Sequence, residues 1–207
     1  MKIGVIGSGG IGGTVGTLWA KAGHEVLFSS RNPATLASLV TEAGDNARAG
    51  TIAQAASFAD VIFLAVYYWT TDEALTAAGS LEGKLIIDAT NPYMRTEAGQ
   101  IQRVPDVSSA LELAQKVPQA KVVKAYNTLP TATLAQEHHR SEPYTLFYCG
   151  DDPDAKAIVA QLITDSGFDG IDIGTLSHVI YQEPDGLLYN KPLTLEAARK
   201  LVASIQT

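Results

Sequence analysis

A glycine-rich segment, residues 7–12, limits the folds open to this chain more than any other part of the sequence. It follows directly on an apolar run at residues 3–6 and has the spacing G-x-G-x-x-G. Between a strand and a helix, this spacing is typical of a turn that holds the pyrophosphate of a dinucleotide on backbone and helix N–H groups. A glycine-rich turn without a ligand is the alternative. The sequence therefore predicts a phosphate site at Gly7, Ser8, Gly9, Gly10, Ile11 and Gly12.

Short apolar runs alternate with helical patterns along the rest of the chain. The runs are rich in Val, Ile, Leu and Ala, as are strands buried on both faces. They lie at residues 3–6, 25–29, 48–50, 60–66, 84–89, 121–127, 145–149 and 170–173. Asn32, Thr51 and Asp152 are placed to cap helices. This order predicts an α/β fold, a Rossmann-type doubly wound, mostly parallel sheet with a short C-terminal extension.

Charge and cysteine content exclude several classes of protein. Fifteen Lys and Arg stand against 22 Asp and Glu, a formal net charge of −7, which is poorly suited to nucleic-acid phosphates. The single cysteine, Cys149, excludes an internal disulfide and a cysteine-based zinc site, and we expect it to be buried. No apolar run approaches the roughly 20 residues of a membrane span, and the first residues do not resemble a signal peptide. We therefore expect a cytoplasmic protein with no metal, membrane or nucleic-acid partner.

The end of the second predicted strand indicates which dinucleotide is bound. NAD-binding chains usually place an acidic side chain there to bind the ribose diol. This chain instead has Ser29, Ser30, Arg31 and Asn32. A hydroxyl can donate to a 2′-phosphate, and a guanidinium can pair with it while stacking on adenine. A surface arginine beside a helix cap is the alternative. The pattern favours NADP(H).

The remaining strand ends supply candidates for the other half of the ligand, because ligands of such sheets bind beyond the carboxyl ends of the strands. Ala65 and Val66 would let backbone pass under the nicotinamide ribose. The aromatic run Tyr67, Tyr68 and Trp69 suits a flat ring, or else forms a lid packed on the core. Amides and hydroxyls after the fifth and sixth strands could orient the nicotinamide carboxamide, although such residues also form ordinary turns. The candidates for the cofactor at these two ends are Asn91, the adjacent Pro92, and Asn127, while Thr128, with Tyr68 and Trp69, is a candidate for binding the substrate.

Two segments interrupt the alternation. Residues 91–107 are predicted to be a long loop, and residues 174–192 an ordered excursion that walls a pocket. From the second segment, Leu176 and Glu183 are candidates for binding a substrate, with a turn role as the alternative for Glu183. His178 is a weak candidate for an acid or a base, and the sequence shows no clearer catalytic group.

With these residues in view, the chain resembles the small NADPH-dependent deazaflavin-coenzyme reductases, the 8-hydroxy-5-deazaflavin:NADPH oxidoreductase family. The likeness covers nearly the whole chain, and several motifs occur in order. They are residues 7–12, 22–26, 29–31, 87–92, 122–128, 150–152 with 155–156, and 174–176 with 183–184.

The resemblance implies an NADP-binding Rossmann domain, at residues 1–150, and a small C-terminal part, at residues 151–207, that completes the substrate cleft. The two could also be one continuous domain. It further implies hydride transfer from NADPH to a deazaflavin and a homodimer formed through residues 174–207. The chain departs from the family pattern at Tyr67 and after Gly174, where the family has proline, and at Ile180, where it has arginine. A flavin, a quinone or an iron chelate stays open as the acceptor.

Two functions follow from these features. The first is an NADP(H)-dependent oxidoreductase acting on a deazaflavin or a similar flat small-molecule acceptor. The second is a non-catalytic NADP(H)-binding module that senses redox state, which the lack of an obvious acid or base favours. The aromatic run and the two long segments favour the enzyme, because together they could build a second ring site.

Overall fold

The structure, a computed structural model, describes residues 1–205, so Gln206 and Thr207 at the end of the predicted C-terminal part and dimer surface lie outside the described residues. The strands are β1 Lys2–Ile6, β2 Glu25–Ser29, β3 Ala47–Gly50, β4 Val61–Leu64, β5 Leu85–Asp88, β6 Tyr93–Arg95, β7 Ile101–Arg103, β8 Lys121–Lys124, β9 Thr145–Gly150 and β10 Asp169–Asp172. The α-helices are α1 Gly10–Lys21, α2 Ala37–Ala43, α3 Ile52–Phe58, α4 Thr71–Ala78, α5 Ser109–Lys116, α6 Thr131–Gln136, α7 Pro153–Asp165 and α8 Leu195–Ala203. Short 3₁₀ segments occur at Pro33–Leu36, Tyr68–Thr70 and Leu176–Tyr181.

Eight strands form one sheet in the order β10-β9-β8-β5-β4-β1-β2-β3. The six strands from β8 to β3 in this order run parallel, so their carboxyl ends share one edge of the sheet. Strand β9 is antiparallel to β8, and β10 is parallel to β9. The predicted Rossmann-type, mostly parallel fold is therefore confirmed, with two reversed strands at one side. The sheet runs without interruption across the predicted boundary at residue 150.

Local capping explains where several helices begin. Thr51 Oγ1 accepts the N–H of Gln54, whose side chain accepts the N–H of Thr51, so the two residues form a capping box at the start of α3. Asp152 Oδ1 accepts the N–H of Ala155 at the start of α7, 2.8 Å away. The cap predicted at Asn32 was wrong, since its side chain makes no cap bond and a 3₁₀ turn, not an α-helix, follows it.

The segment predicted as a long loop, residues 91–107, contains a two-stranded antiparallel hairpin. Strand β6 pairs with β7 from Tyr93 opposite Arg103 to Arg95 opposite Ile101. The prediction of a long loop was therefore wrong at Tyr93–Arg95 and Ile101–Arg103, because strands of three residues are too short to show a period-two pattern. Arg103 fastens the hairpin to the late segment, since its Nε lies 3.1 Å from the carbonyl oxygen of Pro184 and 2.8 Å from Asp185 Oδ2.

The thiol of Cys149 lies in the core and is fully buried, as predicted. Burial raises the pKa of this thiol to about 12, because the thiolate would lose its hydration. We therefore expect iodoacetamide at pH 8 to modify native Cys149 at least about 100-fold more slowly than the unfolded chain, because little thiolate forms and the sulfur is inaccessible. Mass spectrometry of timed samples, with and without urea, measures both rates. Equal rates would contradict the burial.

Within residues 1–205, none of the helices has both the length and the apolar character needed to cross a bilayer.

Candidate active site

A cavity of about 780 Å³ lies at the carboxyl ends of β1, β2, β4 and β5. This is the edge of the sheet where the sequence placed a dinucleotide. Its walls contain fourteen of the residues that we singled out from the sequence. They are Gly7, Ser8, Gly9, Gly10, Ile11, Ser29, Ser30, Arg31, Ala65, Val66, Tyr67, Tyr68, Trp69 and Asn91.

The glycines of the loop differ in what surrounds them. A Cβ built on Gly12 would lie 1.9 Å from the carbonyl oxygen of Gly7, so any side chain there would force the loop and α1 apart. A Cβ built on Gly9 would meet nothing within 4 Å. Helix α1 begins at the next residue with no acidic side chain in its first turn and no side-chain cap. The loop therefore combines close packing at Gly12 with open space beside backbone donors at Gly9.

Hydroxyl groups and one cation lie at the end of β2. Ser8 Oγ donates to the carbonyl oxygen of Ser29 at 3.0 Å, which ties the glycine loop to this strand. The buried Ser29 Oγ has no hydrogen-bond partner among residues 1–205. Ser30 Oγ accepts the N–H of Asn32 at 3.1 Å, so its own proton remains free to donate. Arg31 is exposed and is the only basic residue of the cavity wall in the described part of the chain.

Aromatic and apolar side chains surround the other part of the cavity. The rings of Tyr67 and Trp69 stack with centroids 4.5 Å apart and planes 4° apart. Tyr93 and Ile101 of the hairpin join them in the cavity wall, and Tyr67 and Ile101 are 66% and 60% exposed. We call Tyr67, Trp69, Tyr93 and Ile101 the aromatic mouth. Its exposed apolar surface suits a flat ring bound by stacking.

Tyr68, between the two stacked residues, faces a different partner. Its hydroxyl donates to Glu112 Oε2 on α5 at 2.6 Å. Burial raises the pKa of Tyr68 to about 12, and the adjacent Glu112 carboxylate adds to the increase by bonding the protonated form and repelling the phenolate. Tyr68 is therefore a neutral donor at physiological pH, and it fastens the turn after β4 to α5.

Asn91 is held by a chain of amides. Asn91 Nδ2 donates to the backbone oxygen of Asn127 at 3.2 Å, and Asn127 Nδ2 donates back to Asn91 Oδ1 at 3.0 Å. Asn127 Nδ2 also lies 2.7 Å from the backbone oxygen of Gln182. Asn127, a predicted cofactor residue, therefore contacts Asn91 of the cavity wall and does not itself line the wall among residues 1–205.

Behind Thr90 lies a buried ionic cluster that the sequence analysis missed. The Lys124 ammonium group is fully buried and donates to Asp88 Oδ2 at 2.8 Å, to Ser109 Oγ at 2.8 Å and to the carbonyl oxygen of Thr90. Glu183 Oε1 lies 3.4 Å from this ammonium group. Asp88, Lys124 and Glu183 come from distant parts of the chain, so only the fold brings these charges together. The available signals were two charged residues, Asp88 and Lys124, each at the end of an apolar strand.

In the described residues 1–205, the other predicted site residues do not line the cavity. Thr128 is buried, and Leu176 is buried in the core with its N–H bonded to Asp151 Oδ1. His178 is half-buried on a 3₁₀ segment, with Nδ1 3.2 Å from Thr175 Oγ1. The predicted residues outside the wall are Gly12, Asn32, Pro92, Asn127, Thr128, Leu176, His178 and Glu183. Among the described residues, the segment 174–192 does not line this cavity, to which the hairpin contributes Tyr93 and Ile101. Three of its residues, Thr175, Leu176 and Ser177, instead line a second pocket.

Residues 1–205 contain no group of three or more His, Cys, Asp and Glu side chains arranged to hold a metal ion.

The chain is similar to one protein-family model and to several curated proteins. Residues 2–92 match the family model described as NADP oxidoreductase, coenzyme F420-dependent. Metalloreductase STEAP3 of Rattus norvegicus is 32% identical over 176 residues, which cover 85% of this chain and 34% of that protein. Metalloreductase STEAP2 of Homo sapiens is 26% identical over 177 residues, 86% of this chain and 34% of that protein. The chain spans about a third of the length of these curated relatives.

Among solved structures, a hypothetical protein from Sinorhizobium meliloti is 31% identical with a TM-score of 0.83, and the match covers 94% of this chain and 95% of that one. A proposed F420-dependent NADP reductase from Arthrobacter sp. FB24 is 29% identical with a TM-score of 0.78, covering 100% and 96% of the two chains. A reductive aminase from Aspergillus terreus, in complex with NADPH, is 21% identical with a TM-score of 0.64, covering 84% of this chain and 55% of that chain, a likeness of fold alone.

Proposed function

We propose that this chain, whose residues 2–92 match the family of NADP oxidoreductases described as coenzyme F420-dependent, transfers hydride from NADPH to a flat redox acceptor at the aromatic mouth. One observation carries the proposal: a single cavity joins the glycine loop, the end of β2 with Arg31, and the stacked rings of Tyr67 and Trp69. An oxidoreductase of this kind must hold a dinucleotide and a second ring within one water-excluding space.

The residues of the cavity fit NADP(H). The open space beside Gly9 leaves room for a pyrophosphate against backbone N–H groups, which a side chain would fill. The unpaired Ser29 hydroxyl and the free proton of Ser30 are donors for oxygen atoms of the ribose and its 2′-phosphate. Arg31 supplies the positive charge that a 2′-phosphate requires.

Hydride transfer places few chemical demands on the protein. When bound, NADPH supplies the hydride, and the acceptor takes up its two electrons, so no acid or base of the protein is required in that step. The chain's own residues bind, orient and exclude water. Ala65 and Val66 place short side chains in the wall after β4, while Thr90 and Asn91 form the wall after β5. The position of His178 outside this wall agrees with a mechanism that needs no histidine.

A deazaflavin coenzyme is the acceptor that we favour. The family description names coenzyme F420, and the Arthrobacter structure carries the same proposed activity. A ring of this kind could stack on the exposed Tyr67 face. A ferric chelate is another candidate acceptor, since two curated relatives are named metalloreductases. A ferric ion accepts one electron at a time, so it is less suited to accept a two-electron hydride than an organic ring is.

The test begins with titrations of the purified protein with NADPH and NADH. NADPH oxidation, followed at about 340 nm, where reduced nicotinamide absorbs, is then measured with deazaflavin, FMN and a ferric chelate as acceptors. We expect tight NADPH binding and the fastest turnover with deazaflavin. Turnover with another acceptor alone would keep the reaction class and replace the substrate. NADPH binding without turnover would favour a redox sensor, and absence of NADPH binding would overturn the proposal.

Trp69→Leu tests the second ring site. The change removes an aromatic face but keeps apolar bulk, so we expect the KM for the acceptor to rise about three- to tenfold. The Kd for NADPH should change by less than about twofold, because Trp69 contacts the acceptor end of the proposed site. Steady-state kinetics and a binding titration measure the two quantities. An unchanged KM would show that the acceptor does not stack there.

A further inference from the structure

Two consecutive residues of the late segment, Gln182 and Glu183, lie behind the cavity rather than in its wall. Both side chains are buried, at 0% and 2% exposure. We propose that this pair, which we call the clamp, fixes the Thr90–Asn91 wall and so positions the nicotinamide end of NADPH for hydride transfer. The inference rests on the proposed function and assigns both residues a positioning role.

Glu183 acts on Thr90 through Ser109 and Lys124. Glu183 Oε1 accepts Ser109 Oγ at 2.8 Å and the N–H of Ala110, in the first turn of α5, at 3.2 Å. Ser109 Oγ in turn accepts from the Lys124 ammonium group at 2.8 Å, and that group donates to the carbonyl oxygen of Thr90. Glu183 thereby holds the helix start and the ammonium group together.

Thr90 is fixed from both sides of its backbone. Its N–H donates to Asp88 Oδ1 at 2.9 Å, while Asp88 Oδ2 accepts from Lys124 at 2.8 Å. The same carboxylate and ammonium group therefore bind both polar groups of the Thr90 backbone. Charge-assisted bonds in a fully buried site are short and strong, so rotation of this peptide is opposed on both sides.

Gln182 acts on Asn91 through Asn127. Gln182 Nε2 donates to Asn127 Oδ1 at 3.0 Å, and the Gln182 backbone oxygen accepts Asn127 Nδ2 at 2.7 Å. Asn127 is thus held at both ends of its amide, and it holds Asn91 by two further bonds. Each residue of the clamp therefore supports one residue of the wall.

The position of the wall in the sheet determines which part of the ligand depends on it. Arg31 follows β2, the glycine loop follows β1, and Thr90 and Asn91 follow β5, two strands further along the order β2-β1-β4-β5. A dinucleotide lying across these strand ends, with its 2′-phosphate at Arg31, has its nicotinamide toward β4 and β5. The clamp should therefore affect the reacting ring and leave the adenine end unchanged.

The test uses Gln182→Met, which keeps length and removes the amide, and Glu183→Gln, which keeps shape and removes the charge. Asp165→Asn is the matched control, because Asp165 holds His24 by a 2.9 Å bond outside the cavity wall of the described chain. Adenosine 2′,5′-bisphosphate probes the adenine end alone. The fluorescence of bound NADPH reports how firmly the nicotinamide is held, and single-turnover oxidation by FMN or deazaflavin reports the hydride step.

We expect both clamp variants to bind adenosine 2′,5′-bisphosphate within about twofold of the wild type, and to lose about half or more of the nicotinamide fluorescence gain. The hydride step should slow about tenfold or more, as expected for a displaced reacting ring. Asp165→Asn should leave all three quantities within about twofold of the wild type, even if this variant is less stable than the wild type. A loss of activity through general destabilisation would instead lower all three in proportion to the unfolded fraction.

Full fluorescence gain and an unchanged hydride rate in folded clamp variants would overturn the inference while leaving the proposed function intact. If the wild type binds no NADPH, both the inference and the proposed function are overturned. Should neither variant fold, hydrogen exchange of the Thr90 and Asn91 amides in the wild type is the test: slow exchange before NADPH is added supports the clamp, and fast exchange contradicts it.

Discussion

Replacing Arg31 with glutamate is expected to weaken NADPH binding by about 100-fold or more and to change NADH binding by less than about threefold. Arg31 is the only basic residue of the cavity wall among residues 1–205, and it lies beside the donor-bearing Ser30 at the end of β2. Glutamate would remove the charge-assisted bonds to the 2′-phosphate and would place a carboxylate against it. NADH has no 2′-phosphate, so the same carboxylate meets a ribose diol that it can bind.

The comparison of two ligands separates a charge effect from a general loss of structure. Arg48→Glu is a suitable control, because Arg48 lies on the neighbouring β3 and pairs with Glu25 at 2.9 Å, outside the cavity wall as described. We expect this control to bind both dinucleotides as the wild type does. Calorimetric titration of each variant gives the four dissociation constants. Equal losses for NADPH and NADH in Arg31→Glu would contradict the assignment of the 2′-phosphate site.

The part of the site that depends on one short stretch of sequence could be predicted from the sequence. The glycine spacing fixes a strand, a turn and a helix start together, so the whole of residues 7–12 could be placed at once. The location of the residues that follow β2 and β4 could also be predicted, because the carboxyl ends of parallel strands lie at one edge of the sheet in any strand order. Arg31 and Tyr67 therefore lie in one cavity, as the order of strands implies.

The parts that depend on distant residues could not be predicted in this way. Glu183 was a candidate for binding a substrate, with a turn role as the alternative; in the structure its side chain is buried and bonds Ser109 and the start of α5. No pattern near Glu183 identifies those partners. The hairpin that supplies Tyr93 and Ile101 also escaped prediction, since its three-residue strands are too short to show a period-two pattern and the residues that Arg103 contacts lie about 80 positions along the chain.

Gly9→Ala is expected to weaken NADPH binding by about 10- to 100-fold while leaving the melting temperature within about 3 °C of the wild type. Gly9 has φ −80° and ψ −153°, an extended conformation that alanine adopts without strain. A Cβ there meets no protein atom within 4 Å, so the fold itself accepts the methyl group. The open space is the one that we assign to the pyrophosphate, and a ligand drawn close to this backbone would collide with the methyl group.

Gly12→Ala is expected to give the opposite result, a loss of stability. Its Cβ would lie 1.9 Å from the carbonyl oxygen of Gly7, so the loop and α1 must separate, and we expect the melting temperature to fall by about 6 °C or more. Thermal unfolding and NADPH titration of both variants measure whether stability and binding separate. If Gly9→Ala binds NADPH as the wild type does, the backbone at Gly9 does not face the phosphates. A loop built only for packing would lose stability at Gly12 and keep its NADPH affinity in Gly9→Ala, whereas a phosphate-binding loop loses stability at Gly12 and affinity at Gly9.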